Sequence, residues 1–93
     1  MDQGRLVEAE QALRLTLKMR EHALGAEHPD TLESCYNLAV TLGGQKKYPE
    51  ALLLAQRTET GRIKVLGGAH PMTYDSRKFR ESIEAELKQQ SAK

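Results

Sequence analysis

The sequence predicts an all-α chain of stacked helical hairpins, and three observations carry this prediction. The segment Leu24–Thr31 returns as Leu66–Thr73 after a shift of 42 residues, and a fixed period of this size is typical of solenoids. In both copies a glycine follows a long periodic segment, and a His-Pro pair comes shortly after it, which indicates a helix end and then a helix start. No segment has the period-two alternation of a half-buried strand.

The first predicted helix covers about residues 4–24 and has two apolar stripes at helical spacing, which predicts neighbours on two of its sides. One stripe contains Leu6, Ala9, Leu13, Leu17 and Leu24, and the other contains Ala12, Leu15, Met19 and Ala23. The second predicted helix, about residues 29–43, begins at Pro29. Its predicted buried face contains Leu32, Cys35, Leu38, Ala39 and Leu42.

The third predicted helix, about residues 48–66, begins next to Pro49, and its softest part is expected at Thr58, Thr60 and Gly61, because these residues have poor helix propensity. The fourth, about residues 71–90, has a narrower apolar stripe of Tyr74, Phe79, Ile83 and Leu87. Charged residues, among them Arg80 and Glu84, replace the leucines of the second helix, which predicts a terminal cap. The polar tail, residues 88–93, is expected to fray.

Composition limits the classes of function. With 93 residues, the chain predicts one small domain, residues 1–93. Fourteen Lys and Arg against 13 Asp and Glu give a net charge of +1, which does not favour nucleic acid as a partner. No apolar run reaches the roughly 20 residues of a membrane span, and the N-terminus has no signal-peptide core. The only cysteine, Cys35, excludes an internal disulfide, so a cytoplasmic location is expected.

Candidate chemical groups favour structural roles. His28 and His70 each precede a proline at a helix start, so capping is a simpler reading than a metal pair. Cys35 lies on an apolar helix face, which predicts a buried packing residue. No base motif accompanies Ser34 or Ser76, and the glycine pair at 43–44 lacks the Lys-Ser/Thr of a phosphate-binding loop. We therefore expect no catalytic residues, no cofactor and no metal.

Several residues together carry a family resemblance, namely Asn37-Leu38-Ala39, Leu42, Gln45, Tyr48, Glu50-Ala51, Leu66-Gly67, His70-Pro71 and Thr73. The pattern resembles the tetratricopeptide repeat in its long, 42-residue form, as found in kinesin light chains. The resemblance implies a helical-hairpin solenoid of about two repeats that binds proteins. Since residues 1–24 align with 43–66, the first helix of a repeat is missing, and we expect a fragment of a longer solenoid.

The same resemblance implies a peptide-binding site on a concave face lined by the second and fourth helices. The residues implied are Glu33, Tyr36, Asn37 and Val40, with Asp75, Lys78 and Ser82 at matching places. An asparagine before Leu-Ala holds the partner's main chain in related repeats, and Asn37 matches that position. Two structural alternatives stay open: Asn37 can bond to an adjacent helix, and Lys78 can be a solvated lysine rather than a ligand for acidic groups.

We therefore expect a non-catalytic protein-interaction module, adaptor or scaffold that holds a partner peptide on its concave face. One alternative is a structural or self-associating repeat segment, including a homodimer formed through the exposed N-terminal helix. Another is the sensor arm of a larger nucleotide-switch protein. Far-ultraviolet circular dichroism is expected to show a predominantly helical chain.

Overall fold

Four consecutive α-helices make up the fold in a computed structural model that describes residues 3–91. They are α1 (Gln3–Leu24), α2 (Pro29–Gly44), α3 (Tyr48–Leu66) and α4 (Pro71–Ser91). Each end lies within one residue of its predicted position, and residues 3–91 contain no strand. The all-α prediction is therefore confirmed. None of the helices in this range is long and apolar enough to cross a membrane.

The two His-Pro pairs begin helices by the same hydrogen bond. Nδ1 of His28 accepts the backbone N–H of Asp30 over 3.1 Å, and Nδ1 of His70 accepts that of Met72 over 3.1 Å. Each bond satisfies one of the four N–H groups that a helix start leaves without a partner. The predicted capping role of both histidines is confirmed.

The two repeated glycines end helices in a backbone conformation that other residues rarely adopt. Gly25 has φ 95° and Gly67 has φ 92°. Their N–H groups donate to the carbonyls of Glu21 and Ile63 respectively, each over 3.0 Å. Glycine adopts a positive φ at a helix end without steric cost, because it has no Cβ atom.

The helices pack in two layers. The row of α1 and α3 lies against the row of α2 and α4, and α2 contacts all three other helices. The smallest dimension of the molecule is 18 Å, about the thickness of two helices. The buried core cluster contains Leu17, Cys35, Leu38, Leu42, Ala51 and Ile83.

Long charged side chains join α1 and the turn after it to α3 and the residue before it. In residues 3–91 no Cα atom of α1 lies within 8 Å of a Cα atom of α3. Four ion pairs span the gap: Glu10–Lys47 at 3.1 Å, Arg14–Glu50 at 2.5 Å, Glu21–Arg57 at 2.5 Å and Glu27–Lys64 at 2.9 Å. We call these four pairs the ionic rungs.

Only one of the two apolar stripes of α1 is covered. Leu6 and Leu17 are buried, although Leu24, at the end of the same stripe, is exposed. In the second stripe, Leu15 is 61% exposed and Met19 is 62% exposed. The two stripes predicted neighbours on two sides of α1. Within residues 3–91, no helix covers the second side.

Gly61, in the stretch predicted to be the softest part of α3, lies at a close contact between two helices. The helix runs unbroken through Gly61, which is buried. A Cβ atom at this position would lie 2.6 Å from Cδ2 of Leu32 on α2, closer than van der Waals contact permits. Among the glycines, Gly61 therefore has the closest neighbour. Its missing side chain makes room for Leu32 where α3 packs against α2.

Some of the charged residues of α4 form hydrogen bonds within the fold. Arg80 donates to Glu59 of α3 and, over 2.7 Å, to Glu84. The Arg80 guanidinium lowers the pKa of the Glu59 carboxyl. After the 42-residue shift, this pair replaces Leu17 and Leu38 of the apolar core. Arg80 therefore faces α3, a contact that the replacement of leucines by charged residues did not predict.

Two further predictions for α4 need correction. Tyr74 belongs to the predicted apolar stripe but is exposed, and Ile83 is the only buried member of that stripe in the range described. Residues 88–91, predicted to fray, are helical through Ser91, while residues 92–93 lie outside the described range. Lysine and glutamine are good helix formers, and Lys88 lies in the last turn, where a positive charge is favourable.

Candidate functional site

The predicted site residues lie on an open face formed by α2 and α4. Glu33, Tyr36, Asn37 and Val40 follow the spacing that places residues on one side of α2. Glu33, Asn37 and Val40 are exposed, while Tyr36 is half-buried. Asp75, Lys78 and Ser82 are exposed on α4. We call these seven positions the α2–α4 face.

Tyr36 joins three helices. Its ring meets the edge of Phe79 on α4, with 5.9 Å between the ring centroids and an interplanar angle of 68°. The guanidinium carbon of Arg62 on α3 lies 4.8 Å from the Tyr36 centroid, which is a cation–π arrangement. Tyr36 is therefore held in place, and only part of its ring is open to a ligand.

The buried side chain of Arg62 lies beneath this face, against the ring of Tyr36. It is 3% exposed, and its Nη1 donates to the Met72 carbonyl over 2.9 Å and to Oγ of Ser76 over 2.7 Å. Burial lowers the pKa of the guanidinium. Within residues 3–91 its Nε has no hydrogen-bond partner. Arg62 thus ties the C-terminal half of α3 to the first turn of α4.

The preceding repeat contains the same arginine arrangement in a more exposed form. Arg20 donates from Nη1 to the Asp30 carbonyl and to Oγ of Ser34, both over 2.9 Å, and lies 3.5 Å from the Glu33 carboxylate. Sequence reasoning missed this bond, although Arg20 and Ser34 map onto Arg62 and Ser76 under the 42-residue shift. The signal that could have revealed this bond is that its donor residue and its acceptor residue both recur after 42 residues.

Asn37 presents a side chain without internal partners. Its backbone carbonyl accepts Oγ1 of Thr41 over 2.9 Å, but its amide group makes no hydrogen bond in the part of the chain that the structure describes. The structural alternative, a bond from Asn37 to an adjacent helix, is therefore not observed. An exposed amide has two donor hydrogens and an acceptor oxygen available.

The α4 half of the face is chemically different from the α2 half. Phe79 occupies the position that corresponds to Asn37 after the 42-residue shift, so α4 offers no second amide. Nζ of Lys78 lies 5.6 Å from the Tyr74 ring centroid and 3.7 Å from the Glu81 carboxylate. Oγ of Ser82 donates to the Phe79 carbonyl over 2.8 Å. Lys78 therefore has internal neighbours but stays accessible.

A groove of about 640 Å³ lies between α1 and α3, away from the predicted site residues. Its apolar lining contains Leu15, Leu17, Leu38, Leu53 and Leu54. Arg14, Glu21 and Glu50, members of two ionic rungs, also line it. Sequence reasoning did not find this groove, because it depends on how α1 and α3 are placed relative to each other, which the residue spacing within one helix does not predict.

Glu10 is the most connected residue of the ionic rungs. It accepts Nε2 of Gln45 over 2.7 Å, Nε of Arg14 over 2.8 Å and Nζ of Lys47 over 3.1 Å. These bonds, that of Gln45 first, lower the pKa of the Glu10 carboxyl to about 2. The carboxylate therefore stays charged in the folded chain at pH values where a free glutamate is protonated.

This lowered pKa predicts an acid-dependent loss of stability. A carboxyl with a lower pKa in the folded state stabilises the fold above the unfolded pKa, about 4.3, and this contribution disappears as the pH falls towards 2. We expect Glu10→Gln to reduce the fall in unfolding free energy between pH 5 and pH 2.5, measured by urea titration. Glu8→Gln is the control, since Glu8 is exposed. Equal pH profiles for Glu10→Gln and the parent would contradict the prediction.

Cys35 is fully buried in the core cluster, and burial raises the pKa of its thiol. Since the thiolate is the reactive form, this environment makes the thiol unreactive. The prediction of a packing role is confirmed.

Comparison with known families is consistent with this architecture. A family model described as tetratricopeptide repeat matches residues 1–64. No curated protein and no solved structure gave a significant match. Repeats of this family generally mediate protein–protein interactions and are typically non-catalytic. Because the match spans more than half of the chain and the four helices form the expected hairpin array, the chain belongs to the tetratricopeptide repeat family.

Proposed function

We propose that this chain is a non-catalytic interaction module that holds an extended segment of a partner protein along the α2–α4 face, as its concave face. The observation that carries the proposal is the Asn37 amide, which is exposed and has no hydrogen bond in residues 3–91. A peptide main chain offers donors and acceptors at regular intervals, and one amide can satisfy both kinds of group.

The surroundings of Asn37 suit an extended ligand. Tyr36 provides a ring held by Arg62 and Phe79, so little side-chain entropy is lost when a ligand packs against it. Val40, one turn further along α2, is 42% exposed and offers apolar contact. Glu33 and Asp75 add two negative charges and Lys78 adds one positive charge, which favours a ligand of mixed charge with a basic group among its side chains.

The proposal includes finer points that rest on the sequence. The 42-residue period supports a kinesin-light-chain-like subtype and a scaffolding role within a longer solenoid. An unpaired, buried cysteine suits a reducing compartment and thus a cytoplasmic setting.

The decisive residue for this proposal is Asn37. Peptides selected from a displayed random library against the chain provide the probe, and their affinities can be measured by fluorescence anisotropy. We expect Asn37→Ala to weaken binding by about 1–3 kcal/mol, because partner groups lose a hydrogen bond, while thermal stability changes little. Gln56→Ala is the matched control, since Gln56 is an exposed amide on α3 outside this face.

Nuclear magnetic resonance tests the location directly. Peptide binding should shift the side-chain NH₂ resonances of Asn37 and the backbone resonances of Tyr36 and Val40. Shifts confined to α1 or to the groove between α1 and α3 would contradict the proposed site. If the Asn37→Ala variant binds the peptide with unchanged affinity, Asn37 is not part of the binding site.

A second candidate function is self-association through α1. The exposure of both Leu15 and Met19 on one helix favours it, because each buried leucine or methionine side chain contributes roughly 1.5–3 kcal/mol. Sedimentation velocity between about 5 μM and 1 mM should show a concentration-dependent increase in mass, as expected for affinities in this range. A single monomeric species throughout would contradict it.

A further inference from the structure

Two ionic rungs join the walls of the groove between α1 and α3. They are Arg14–Glu50 and Glu21–Arg57, each at 2.5 Å. Arg14 and Glu21 are seven residues apart on α1, and their partners are seven residues apart on α3, so the two helices run parallel. Seven residues are about two helical turns, or about 10.5 Å. The stretch of groove between the two rungs therefore has this length.

Leucines line the groove between these two rungs. Leu15 on α1 is 61% exposed and Leu53 on α3 is 67% exposed. Leu17 and Leu38 are buried and Leu54 is half-buried, so these three form the inner part of the lining. A volume of about 640 Å³ is within the range of sites that hold a ligand in a mostly apolar environment.

This groove is separate from the surface on which a helix preceding α1 would pack. The buried residues of α3 are Ala51, Ala55, Thr58, Gly61 and Arg62. After the 42-residue shift these positions correspond to Ala9, Leu13, Thr16, Met19 and Arg20 of α1. None of these five residues of α1 lines the groove. A helix that covered α1 as α3 is covered would therefore leave the groove open.

The helical walls determine which backbone conformation of an occupant suits the groove. The N–H and C=O groups of α1 and α3 bond to each other within each helix, so they are not free for an occupant. An extended segment lying on the leucines would bury backbone groups without partners, which is unfavourable. A helix satisfies its own backbone groups. Its apolar side chains at positions i, i+4 and i+7 span about two turns, which is the length of the groove between the rungs.

Lys18 adds a charge to the groove that has no counterpart. Four charged residues line the groove, and three of them, Arg14, Glu21 and Glu50, belong to ion pairs. Lys18 is exposed and has no ion pair or hydrogen bond in residues 3–91. An acidic side chain on an occupant would complement this positive charge.

We propose that the groove between α1 and α3 binds an amphipathic helix of a partner protein, with apolar side chains on the leucines and an acidic side chain next to Lys18. The groove belongs to the row of α1 and α3, whereas the α2–α4 face belongs to the other row. The chain therefore has a second interaction surface, which binds a helical segment rather than an extended one.

Peptide selection tests the class of ligand. The probe is a displayed library of peptides of about 14 residues, kept helical by a side-chain link, with apolar residues at i, i+4 and i+7 and random residues elsewhere. We expect the selected peptides to carry Asp or Glu beside the apolar stripe. Fluorescence anisotropy should give dissociation constants of about 1–100 μM for the 93-residue chain. A selection that yields no peptide whose binding depends on Leu53 would overturn the proposal.

Charge exchange tests the role of Lys18. Lys18→Glu should weaken binding of the selected acidic peptides about 10-fold, because repulsion replaces attraction. Changing the acidic residue of the peptide to lysine should restore binding to the Lys18→Glu chain to within about 3-fold of the original pair. Lys88→Glu is the matched control, since Lys88 is an exposed lysine on α4 outside the groove. Equal affinities of the Lys18→Glu and parent chains would overturn the acidic character of the ligand.

Apolar substitutions and resonance shifts test the location. Leu53→Asp should weaken binding about 10-fold to 100-fold, whereas Ile63→Asp should leave it unchanged, because Ile63 is exposed on the same helix but does not line the groove. Circular dichroism verifies that both variants keep their helices. In nuclear magnetic resonance spectra, the peptide should shift the methyl resonances of Leu15 and Leu53. Shifts at Tyr36 and Asn37 instead would place the peptide on the α2–α4 face and overturn the groove as its site.

A second copy of this chain is the competing occupant of the groove. Sedimentation velocity of the peptide-free parent and Leu53→Asp chains distinguishes the two occupants. We expect the two chains to have the same mass at every concentration. A parent dimer that Leu53→Asp abolishes would assign the groove to another copy and overturn the partner helix.

Discussion

Gly61→Ala will lower the unfolding free energy by up to about 2 kcal/mol, although alanine is the better helix former. The added methyl group gains about 1 kcal/mol in helix propensity. Against this gain, the new Cβ would lie 2.6 Å from Cδ2 and 3.0 Å from Cδ1 of Leu32, a side chain that is itself buried. Overpacking of this kind costs about 1–3 kcal/mol, so packing outweighs propensity. Urea unfolding followed by circular dichroism measures the change.

Two further variants isolate the cause. Gly44→Ala is the matched control, because a Cβ there would lie at an ordinary contact distance of 3.4 Å from Leu6. In a double-mutant cycle, Leu32→Ala should cost less in the Gly61→Ala background than in the parent, since it removes the colliding methyl groups. A more stable Gly61→Ala chain would show that helix propensity decides at this position and that the close approach of α3 to α2 is dispensable.

Arg62→Ala will be more damaging, with an expected loss of about 2–4 kcal/mol. The substitution leaves a cavity below Tyr36 and removes the donor to the Met72 carbonyl and to Ser76. Arg62 has no carboxylate within ion-pair distance in the described part of the chain, so little Coulombic energy is lost with its charge. The expected loss therefore comes mainly from packing and hydrogen bonding.

The repeat supplies the control for this experiment. Arg20→Ala removes the equivalent bonds, but the Arg20 side chain is 35% exposed, and water can replace the lost donor. We expect a loss of only about 1 kcal/mol. Arg62→Met should recover much of the Arg62→Ala loss by filling the cavity with an apolar side chain. Equal losses for Arg20→Ala and Arg62→Ala would show that burial of the guanidinium does not decide its contribution.

The helix boundaries could be read from the sequence because they depend on local chemistry. Gly25 requires a positive φ, and His28 with Pro29 supplies the next cap, so a few neighbouring residues determine each end. The effect of Gly61 could not be read in the same way. Its propensity is local, but its burial depends on Leu32, almost thirty residues earlier in the chain.

The exposure of the candidate site residues on α2 was predictable, but the contacts among them were not. Helical spacing placed Glu33, Asn37 and Val40 on one exposed face of α2. The anchoring of Tyr36 by Arg62 and Phe79 requires knowing how three helices cross, which spacing within one helix does not contain. Whether Asn37 has an internal partner likewise depended on the neighbouring helices, and in residues 3–91 it has none.

The ionic rungs give the two rows of helices different mechanical properties. The row of α2 and α4 shares close contacts, such as Phe79 against Gly43, and so resists changes in spacing. In the row of α1 and α3, ion pairs on long side chains supplement the core packing of Leu17 and Ala51, and salt screens such pairs. One edge of the array is therefore stiff and the other compliant. We therefore expect added salt to loosen the edge formed by α1 and α3 before it affects the edge formed by α2 and α4.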